Sequence, residues 1–293
     1  MMDNIAVHNF LGVEGMDIAW YGIIIAAGIV IGVWLAIIQA RKAGYRADVI
    51  IDMMIWALPL AIVGARLYYV CTDILDRPEN YKTFIDYIAI WRGGIAIYGG
   101  VIGALIGAFI SARIHKFPYL RLLDFGSVGL VFGQMLGRWG NFFNQEAFGA
   151  PVTDQAFQWF PNAVYIEKAH SIYDVASKTW VQCAEPWHQA TFFYESMCNL
   201  GLFFFMWWFI QNRKKYDGEV ISIYFIGYGI ARLVIEGMRT DSLWLVPGVI
   251  RISQLVSIIL IAIGAAYILY RRLSKKPNRE YTGPYQLDYK KVK

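Results

Sequence analysis

The chain has 293 residues, of which 57% are hydrophobic and 16% aromatic, and its mean hydropathy is +0.41. A soluble domain is usually about 45–50% apolar, so this composition indicates that lipid surrounds much of the chain. The net charge of +5 does not indicate binding to nucleic acid, because the basic residues collect at the ends of apolar segments. The three cysteines lack metal-ligand spacing, so the sequence predicts neither a disulfide framework nor a metal site.

Seven apolar segments are long enough to cross a bilayer as helices, which takes roughly 20 residues each. In chain order they are 18–40, 49–71, 93–112, 122–141, 190–212, 220–238 and 252–270. The residues before the first segment lack the basic region of a secretory signal, so this segment is expected to stay in the membrane. The sequence therefore predicts an all-α integral membrane protein with seven transmembrane helices in a single membrane domain, 1–293.

Basic residues indicate the orientation, since cytoplasmic loops carry an excess of lysine and arginine. With the N-terminus outside, the inner segments 41–48, 113–121, 213–219 and 271–293 carry 17 of the 27 basic residues, and the outer segments carry 7. We expect an extracytoplasmic N-terminus and a cytoplasmic C-terminus. The basic tail, 271–293, would then lie near anionic lipid or be solvated without a partner. The long outer connection, 142–189, is predicted to form a small extracytoplasmic loop or cap.

Glycines recur at four-residue spacing in two predicted spans. They are Gly99, Gly103 and Gly107 in the third span, and Gly133 and Gly137 in the fourth. Small residues at this spacing let two helices approach closely, so these glycines predict helix packing.

Three arginines lie inside predicted spans, where a charge at mid-bilayer costs about 2.5–3.5 kcal/mol. In the expected orientation Arg66, Arg138 and Arg232 all fall on the extracytoplasmic side of the midplane. Around Arg232, in YGIARLVIEGMR, Tyr228 and Glu236 share its helical face. Arg239 follows three residues after Glu236. The pattern fits a neutral Arg232–Glu236 pair that joins helices as well as it fits a ligand site.

Around Arg138 the sequence is GRWGNFFNQEAFG. Asn141 shares the face of Arg138, Glu146 follows just past the span, and Gly149 leaves backbone accessible. An isolated arginine here would be an anchor that extends to the membrane surface, whereas the amides and glycines favour an anion pocket. Because arginines at one depth suit a phosphate or carboxylate, the residues alone predict an outer-leaflet anionic-lipid site and no particular reaction.

These segments resemble the bacterial prolipoprotein diacylglyceryl transferases. The matching pieces run from WYG at 20–22 through VGARLYYV at 63–70, GGIAIYGGVIGA at 93–104, GRWGNFFNQEAFG at 137–149 and IGYGIARLVIEGMR at 226–239. The resemblance covers nearly the whole chain. It implies a multi-pass enzyme of the bacterial plasma (inner) membrane whose active site lies toward the extracytoplasmic face. It also implies that no cofactor is needed.

The implied reaction transfers the diacylglyceryl group of phosphatidylglycerol to the thiol of a lipobox cysteine in a preprolipoprotein signal peptide. A thioether forms and glycerol phosphate leaves. By the match, Arg138 binds the phosphate of phosphatidylglycerol and Arg232 stabilises the departing phosphate. The remaining expected substrate-binding residues are Asn141, Glu146, Gly149, Tyr228, Glu236, Tyr21, Arg66 and Arg239.

The chain departs from the family pattern at two places. Many members carry a histidine where this chain has Tyr98, and a tyrosine with a pKa near 10 is a poor base at neutral pH. We expect Tyr98 to be a catalytic-site hydrogen-bond donor, with the thiol ionised by nearby arginines. In WHQATFFYE at 187–195, His188 is expected to be a polar loop residue at the membrane surface rather than a base.

Two other classes of membrane protein compete with this interpretation. A transporter would show inverted repeats and interrupted helices near the midplane, and the sequence has no such repeat. A non-catalytic protein that binds anionic lipid needs only the charge pairs described above.

Overall fold

The computed structural model describes residues 4–12, 17–167, 170–174, 179–183, 185–240, 244–246, 250–274 and 276–287, and most of them are helical. The helices are α1 (Trp20–Lys42), α2 (Asp48–Asp76), α3 (Phe84–Ile88), α4 (Ile97–Ile114), α5 (Tyr119–Asn144), α6 (Thr191–Asn212), α7 (Glu219–Met238) and α8 (Ile252–Ser274). By length and composition, α1, α2, α4, α7 and α8 are able to cross a membrane. The predicted mostly helical membrane protein is confirmed. The other two predicted spans coincide with α5 and α6.

Short antiparallel strand pairs lie before α1 and in the connections between the helices. The strands are β1 (Ile5–Val7), β2 (Ile18–Ala19), β3 (Ala163–Tyr165), β4 (His170–Asp174), β5 (Thr179–Cys183), β6 (Trp187–Gln189), β7 (Trp244–Val246) and β8 (Ile250–Arg251). The pairs are β1–β2, β3–β6, β4–β5 and β7–β8. Four of the strands lie in the connection 142–189, for which the sequence predicted no particular fold.

The chain forms two compact units. The first comprises Met1–Leu35 and Ser127–Pro277, and the second comprises Ala36–Gly126 and Asn278–Lys293. The first unit therefore holds α6, α7, α8 and the larger part of α5, whereas the second holds α2, α3 and α4.

Close contact between α2 and α4 organises the second unit. The positions of Gly99, Gly103 and Gly107 leave room for nothing larger than hydrogen. A Cβ atom on Gly103 would lie 2.0 Å from the carbonyl oxygen of Leu60, and one on Gly99 would lie 2.2 Å from that of Gly64. The predicted role of these glycines in helix packing is confirmed.

The helices of the first unit also meet at glycines. A Cβ atom on Gly129 would lie 2.1 Å from the carbonyl oxygen of Gly32, so α1 and α5 are in backbone contact there. One turn further on, Gly133 faces Gly28 at a looser 3.3 Å, as its predicted packing role requires. On α8, Gly264 lies against the carbonyl oxygen of Ser222 in α7.

Exposure is distributed as expected for a protein that lipid surrounds. Large apolar side chains on the long helices are open to the exterior, among them Leu67 at 61% and Val234 at 62%. Ionised and amide side chains are buried instead, including Glu195 at 2%, Asn199 at 0% and Glu236 at 1%. Polar side chains inside a helical bundle need partners there, and they identify where chemistry can take place.

The C-terminal residues 278–287 pack within the second unit. The amide of Arg46 donates to the carbonyl oxygen of Tyr285 at 2.7 Å, and that of Leu287 donates to Gly44 at 2.9 Å. Tyr281 and Tyr285 are buried, and the Tyr285 hydroxyl donates to Asp52. Burial and this hydrogen bond raise the pKa of Tyr285, so its phenol remains protonated. This part of the tail folds against the helices. The sequence had predicted a tail that lies near anionic lipid or is solvated, and neither alternative included such packing.

Candidate active site

Two arginines from different helices of the first unit meet at one buried carboxylate. The Oε1 atom of Glu195 in α6 lies 2.6 Å from Nη2 of Arg138 in α5. Its Oε2 atom accepts a hydrogen bond from Nη1 of Arg232 in α7 at 2.9 Å. Only 2% of the Glu195 side chain is exposed, against 19% for Arg138 and 13% for Arg232. The carboxylate thus lies deepest, while the guanidinium groups keep some access to the exterior.

Glu236 supplies the second negative charge of this cluster. Its Oε2 atom lies 2.7 Å from Nη2 of Arg232, four residues earlier on the same face of α7. With all four groups ionised the cluster is neutral, which is how charges persist inside a low-dielectric bundle. The Arg232–Glu236 pair expected from the sequence is present, and it is one half of a larger network.

Tyr228 and Asn141 extend the cluster on either side of Arg138. Tyr228 lies near Arg138, Glu195 and Arg232, and its ring stacks on that of Tyr224. On the other side, Nη1 of Arg138 donates to Oδ1 of Asn141 at 3.5 Å, and the Asn141 amide donates to Glu146 at 2.8 Å. Arg138, Asn141 and Glu146 therefore form one continuous polar chain that runs out of the end of α5.

The turn that follows α5 is held in an unusual backbone conformation. Gln145 and Ala147 have φ angles of 53° and 59°, in the left-handed region that side chains with a Cβ rarely adopt. The amide of Glu146 donates back to the carbonyl oxygen of Asn141 at 3.0 Å, and the Thr191 hydroxyl donates to that of Ala147. These backbone contacts, together with the side-chain hydrogen bond from Asn141, hold Glu146 against Asn141.

Gly149 lies where the same turn passes β6. Its amide donates to the carbonyl oxygen of Gln189 at 2.9 Å, and a Cβ atom would lie 2.8 Å from side-chain atoms of both Gln189 and Thr191. Gly149 also forms an isolated antiparallel bridge with Arg239. Only glycine fits this position, and it ties the end of α5 to the end of α7.

The sequence of this chain is similar to those of known proteins. The family model described as prolipoprotein diacylglyceryl transferase matches residues 9–270. A phosphatidylglycerol–prolipoprotein diacylglyceryl transferase of Lysinibacillus sphaericus is 39% identical over 91% of this chain and 92% of its own length. Phosphatidylglycerol–prolipoprotein diacylglyceryl transferases of Finegoldia magna (38% identical over 90% of this chain and 93% of its own length) and Clostridium perfringens (39%, 90% and 95%) are about as similar.

The chain belongs to the prolipoprotein diacylglyceryl transferase family. It is therefore a transferase and a multi-pass bacterial membrane protein. Membership also places the buried Arg138–Glu195–Arg232 cluster in a diacylglyceryl transferase rather than in a transporter.

Glu195 is the residue of this transferase cluster that the sequence analysis missed. It follows Tyr194 in WHQATFFYE, a segment that was considered only for His188. The available signal was a carboxylate near the start of an apolar span, which requires a buried cation on another helix. Arg138 and Arg232 were the obvious candidates.

His188 lies in β6 and is buried, so the expectation of a polar loop residue is wrong. The residue is 0% exposed, and its ring packs against Phe148 with centroids 4.7 Å apart. Its Nδ1 atom lies 2.9 Å from the carbonyl oxygen of Gly149. The pairing of β3 with β6 buries His188 beneath the turn that carries Gly149, so the histidine supports that turn.

Of the other residues predicted for the site, Tyr21 lies near Glu146 and Arg138, whereas Tyr98 and Arg66 belong to the second unit. In the first unit the ring of Tyr21 packs on Gly140, where a Cβ atom would lie 2.6 Å from it. In the second unit Tyr98 begins the first turn of α4, with its ring 6.3 Å from that of Tyr68. Its catalytic role stays a prediction.

Arg66, also in the second unit, bonds to backbone. Its guanidinium donates to four carbonyl oxygens, those of Asp86, Tyr87, Gly93 and Gly94. These bonds hold the segment between α3 and α4. Substrate binding by Arg66 stays a prediction as well.

Proposed function

We propose that this family member transfers the diacylglyceryl group of phosphatidylglycerol to the thiol of a lipobox cysteine in a preprolipoprotein signal peptide. The main structural support for this function is that Arg138 and Arg232, from separate helices, both contact Glu195. Two guanidinium groups at this spacing suit a phosphodiester, since each presents planar N–H donors to phosphate oxygens. The same residues in a merely lipid-binding protein would not account for membership of a transferase family.

The reaction needs a fixed positive charge at the leaving group. The substrate thiolate attacks the glycerol carbon next to the phosphate, a sulfur–carbon bond forms, and the carbon–oxygen bond breaks. The electron pair of that bond goes to glycerol phosphate, and the thiol proton goes to solvent. Guanidinium groups already oriented toward the phosphate stabilise the charge that develops there, usually the largest single catalytic effect. We assign phosphate binding to Arg138 and leaving-group stabilisation to Arg232.

Glu195 acts in this proposal as a positioning residue. It holds both guanidinium groups at their present separation, at 2.6 and 2.9 Å from its two oxygens. A bound phosphate would share these cations with the carboxylate. Asn141, Glu146, Tyr228 and Glu236 restrain the arginines from the sides, while Gly149, Tyr21 and Arg239 shape the surrounding backbone. Tyr98 donates a hydrogen bond to the lipid.

The proposed topology has seven spans, which adds α5 and α6 to the five apolar helices. The N-terminus lies outside, the basic C-terminus lies in the cytoplasm, and the residues 142–189 form an extracytoplasmic cap of one membrane domain. The distribution of lysine and arginine supports this arrangement. It puts the arginine pair near the outer leaflet of the bacterial plasma membrane, where a translocated signal peptide presents its cysteine.

A direct assay tests the function. Purified protein in phosphatidylglycerol vesicles, given a lipobox peptide, is expected to add one diacylglyceryl group to the peptide and release glycerol phosphate in equal amount. Arg138→Ala should abolish both signals, and because it also leaves the buried Glu195 with one cation fewer, its melting temperature is measured to show that the variant is folded at the assay temperature. Transfer by Arg138→Ala at the wild-type rate would contradict the assignment. A peptide in which serine replaces the cysteine is the matched control.

A further inference from the structure

A layer of polar side chains lies one helical turn from the arginine pair, toward the centres of the helices. Gln134 precedes Arg138 by four residues in α5, and Asn199 follows Glu195 by four in α6. Tyr224, in α7, lies two turns before Arg232. With a rise of 1.5 Å per residue, the first two lie about 6 Å nearer the middle of their helices than the charged cluster.

Contacts between the helices place Gln134 and Asn199 at the same level. The Ser196 hydroxyl donates to the carbonyl oxygen of Met135 at 3.0 Å, and the rings of Phe132 and Phe203 are 5.1 Å apart. Asn199 lies midway between these two contacts. It also shares the face of α6 on which Glu195 meets Arg232, so it is directed toward the same interior.

Hydrogen bonding in this layer is incomplete. The Tyr224 hydroxyl donates to Oε1 of Gln134 at 3.1 Å, and the ring of Tyr224 stacks on that of Tyr228, with centroids 5.5 Å apart. This bond directs the amide nitrogen of Gln134 away from Tyr224. Asn199 is 0% exposed, and within the described part of the chain neither atom of its amide has a hydrogen-bond partner.

The buried, unpaired amide of Asn199, level with the half-buried Gln134, calls for a polar group from outside the chain. A buried donor without an acceptor costs free energy comparable to a lost hydrogen bond, so such groups are rarely retained without a partner. In a glycerophospholipid whose phosphate is held by Arg138 and Arg232, the next polar atoms toward the bilayer centre are the ester carbonyl oxygens. They accept hydrogen bonds and cannot donate, which matches amide N–H groups.

We propose that Gln134 and Asn199 form an ester-binding subsite for the diacylglyceryl group, with Tyr224 as the positioning residue of Gln134. The subsite rests on the proposed function, since it requires a diacyl lipid at the arginine pair. It would fix the glycerol backbone at a second point beneath the phosphate. The carbon under attack is then oriented along the line between the thiolate and the leaving oxygen.

The test compares two donor lipids that differ only in the ester carbonyls. Wild-type protein is assayed in vesicles of diester phosphatidylglycerol and of the corresponding diether lipid, which keeps the phosphate and the bond that breaks. We expect the wild type to turn over the diester about three- to tenfold faster, the range that one neutral hydrogen bond provides. Gln134→Leu and Asn199→Leu should lower the diester rate toward the diether rate and leave the diether rate nearly unchanged.

Gln254→Leu is the matched control, because Gln254 in α8 donates instead to the carbonyl oxygen of Leu233. It should keep the wild-type ratio between the two lipids, even if it lowers both rates. Equal wild-type rates on the two lipids would overturn the subsite, as would proportional losses of both rates in Gln134→Leu and Asn199→Leu. No transfer from the diester by the wild type would instead refute the proposed function. The melting temperature of each variant separates misfolding from lost recognition.

Discussion

The charged cluster of Arg138, Glu195, Arg232 and Glu236 persists in an apolar bundle because each charge contacts an opposite one. Removing one partner from such a cluster leaves an uncompensated buried charge, at a typical cost of 3–5 kcal/mol. An alanine substitution in this cluster therefore lowers both the stability and the transfer rate, and the two effects cannot be told apart. Substitutions that keep either the charge or the shape separate the two effects.

Arg232→Lys keeps the charge and removes the planar fork. One ammonium group cannot contact Glu195 and Glu236 as the two guanidinium nitrogens do, at 2.9 and 2.7 Å, and still face a phosphate. We expect the initial rate of diacylglyceryl transfer to fall about a hundredfold, in the range found when one preorganised donor is lost. Arg272→Lys is the control, since that side chain is 59% exposed and should tolerate the change. Near-normal turnover by Arg232→Lys would refute the role of the guanidinium.

Glu195→Gln keeps the shape and removes the charge. Loss of the carboxylate frees the guanidinium groups from a competing anion, so phosphatidylglycerol should bind at least as well as before. The arginines also lose their common anchor, so the chemical step should slow. We expect kcat to fall at least tenfold while KM for the lipid stays level or falls, measured in mixed micelles. A rise in KM with unchanged kcat would mean that Glu195 helps hold substrate and does not position the arginines.

At the level of single residues, the sequence identified the arginines and missed their common partner. Arg138, Arg232 and Glu236 stand out because charges in apolar spans need an explanation. Glu195 belongs to the same class, yet it lies beside the polar segment 187–190 and reads as the end of a loop. Which cation it meets depends on the relative rotation of α5, α6 and α7, and no single helix encodes that rotation.

At the level of elements, the apolar runs predicted helix positions well and helix ends less well. The predicted span 49–71 became Asp48–Asp76, and 93–112 became Ile97–Ile114. The bilayer thickness limits how much of a helix must be apolar, but a helix can continue through polar residues such as Asp73 and Asp76. The strands of the connection 142–189 were not predicted, because segments of three to five residues carry too little periodicity.

Gly103→Ala tests the contact between α2 and α4. The added methyl group would lie 2.0 Å from the carbonyl oxygen of Leu60, which is backbone and cannot move without displacing α2. Overpacking of this kind typically costs about 1–3 kcal/mol. We expect a lower midpoint of thermal unfolding in detergent. Gly201→Ala is the matched control, since nothing lies within 4 Å of a Cβ atom there, and its midpoint should be unchanged or higher. Equal midpoints for the two variants would mean that the helices have room to separate.

At the level of the whole molecule, many large apolar side chains of the long helices face outward, whereas charged and amide side chains such as Glu195, Asn199 and Glu236 are buried. This reversal of the soluble pattern follows from lipid as the surrounding solvent, because burial against protein gains little for an apolar side chain that lipid already covers. Stability then depends on close backbone contacts at glycines and on polar networks. The amino-acid composition predicts that stability depends on such contacts, because it predicts a lipid environment. It does not predict which polar segments at the membrane surface fold back onto the helices, since such contacts pair residues far apart in the chain.

The C-terminal segment gives the last test. Deleting residues 277–293 removes the backbone bonds from Arg46 to Tyr285 and from Leu287 to Gly44, and it uncovers Phe117, which is now buried against Tyr281 and Tyr285. We expect the melting temperature to fall by several degrees, at roughly 2–4 °C per kcal/mol for a chain of this size. The transfer rate at low temperature should persist, because Arg138, Glu195 and Arg232 belong to the other compact unit.

Removing a single hydroxyl tests one contact of the C-terminal segment while the segment itself stays in place. Tyr285→Phe removes only the hydroxyl that donates to Asp52, so it should lower the melting temperature by less than the deletion does. Full thermal stability of the deletion variant would show that the segment is solvated. A tail without contacts leaves the helices unaffected when it is removed, whereas a folded segment that covers Phe117 cannot be lost without exposing apolar surface to water.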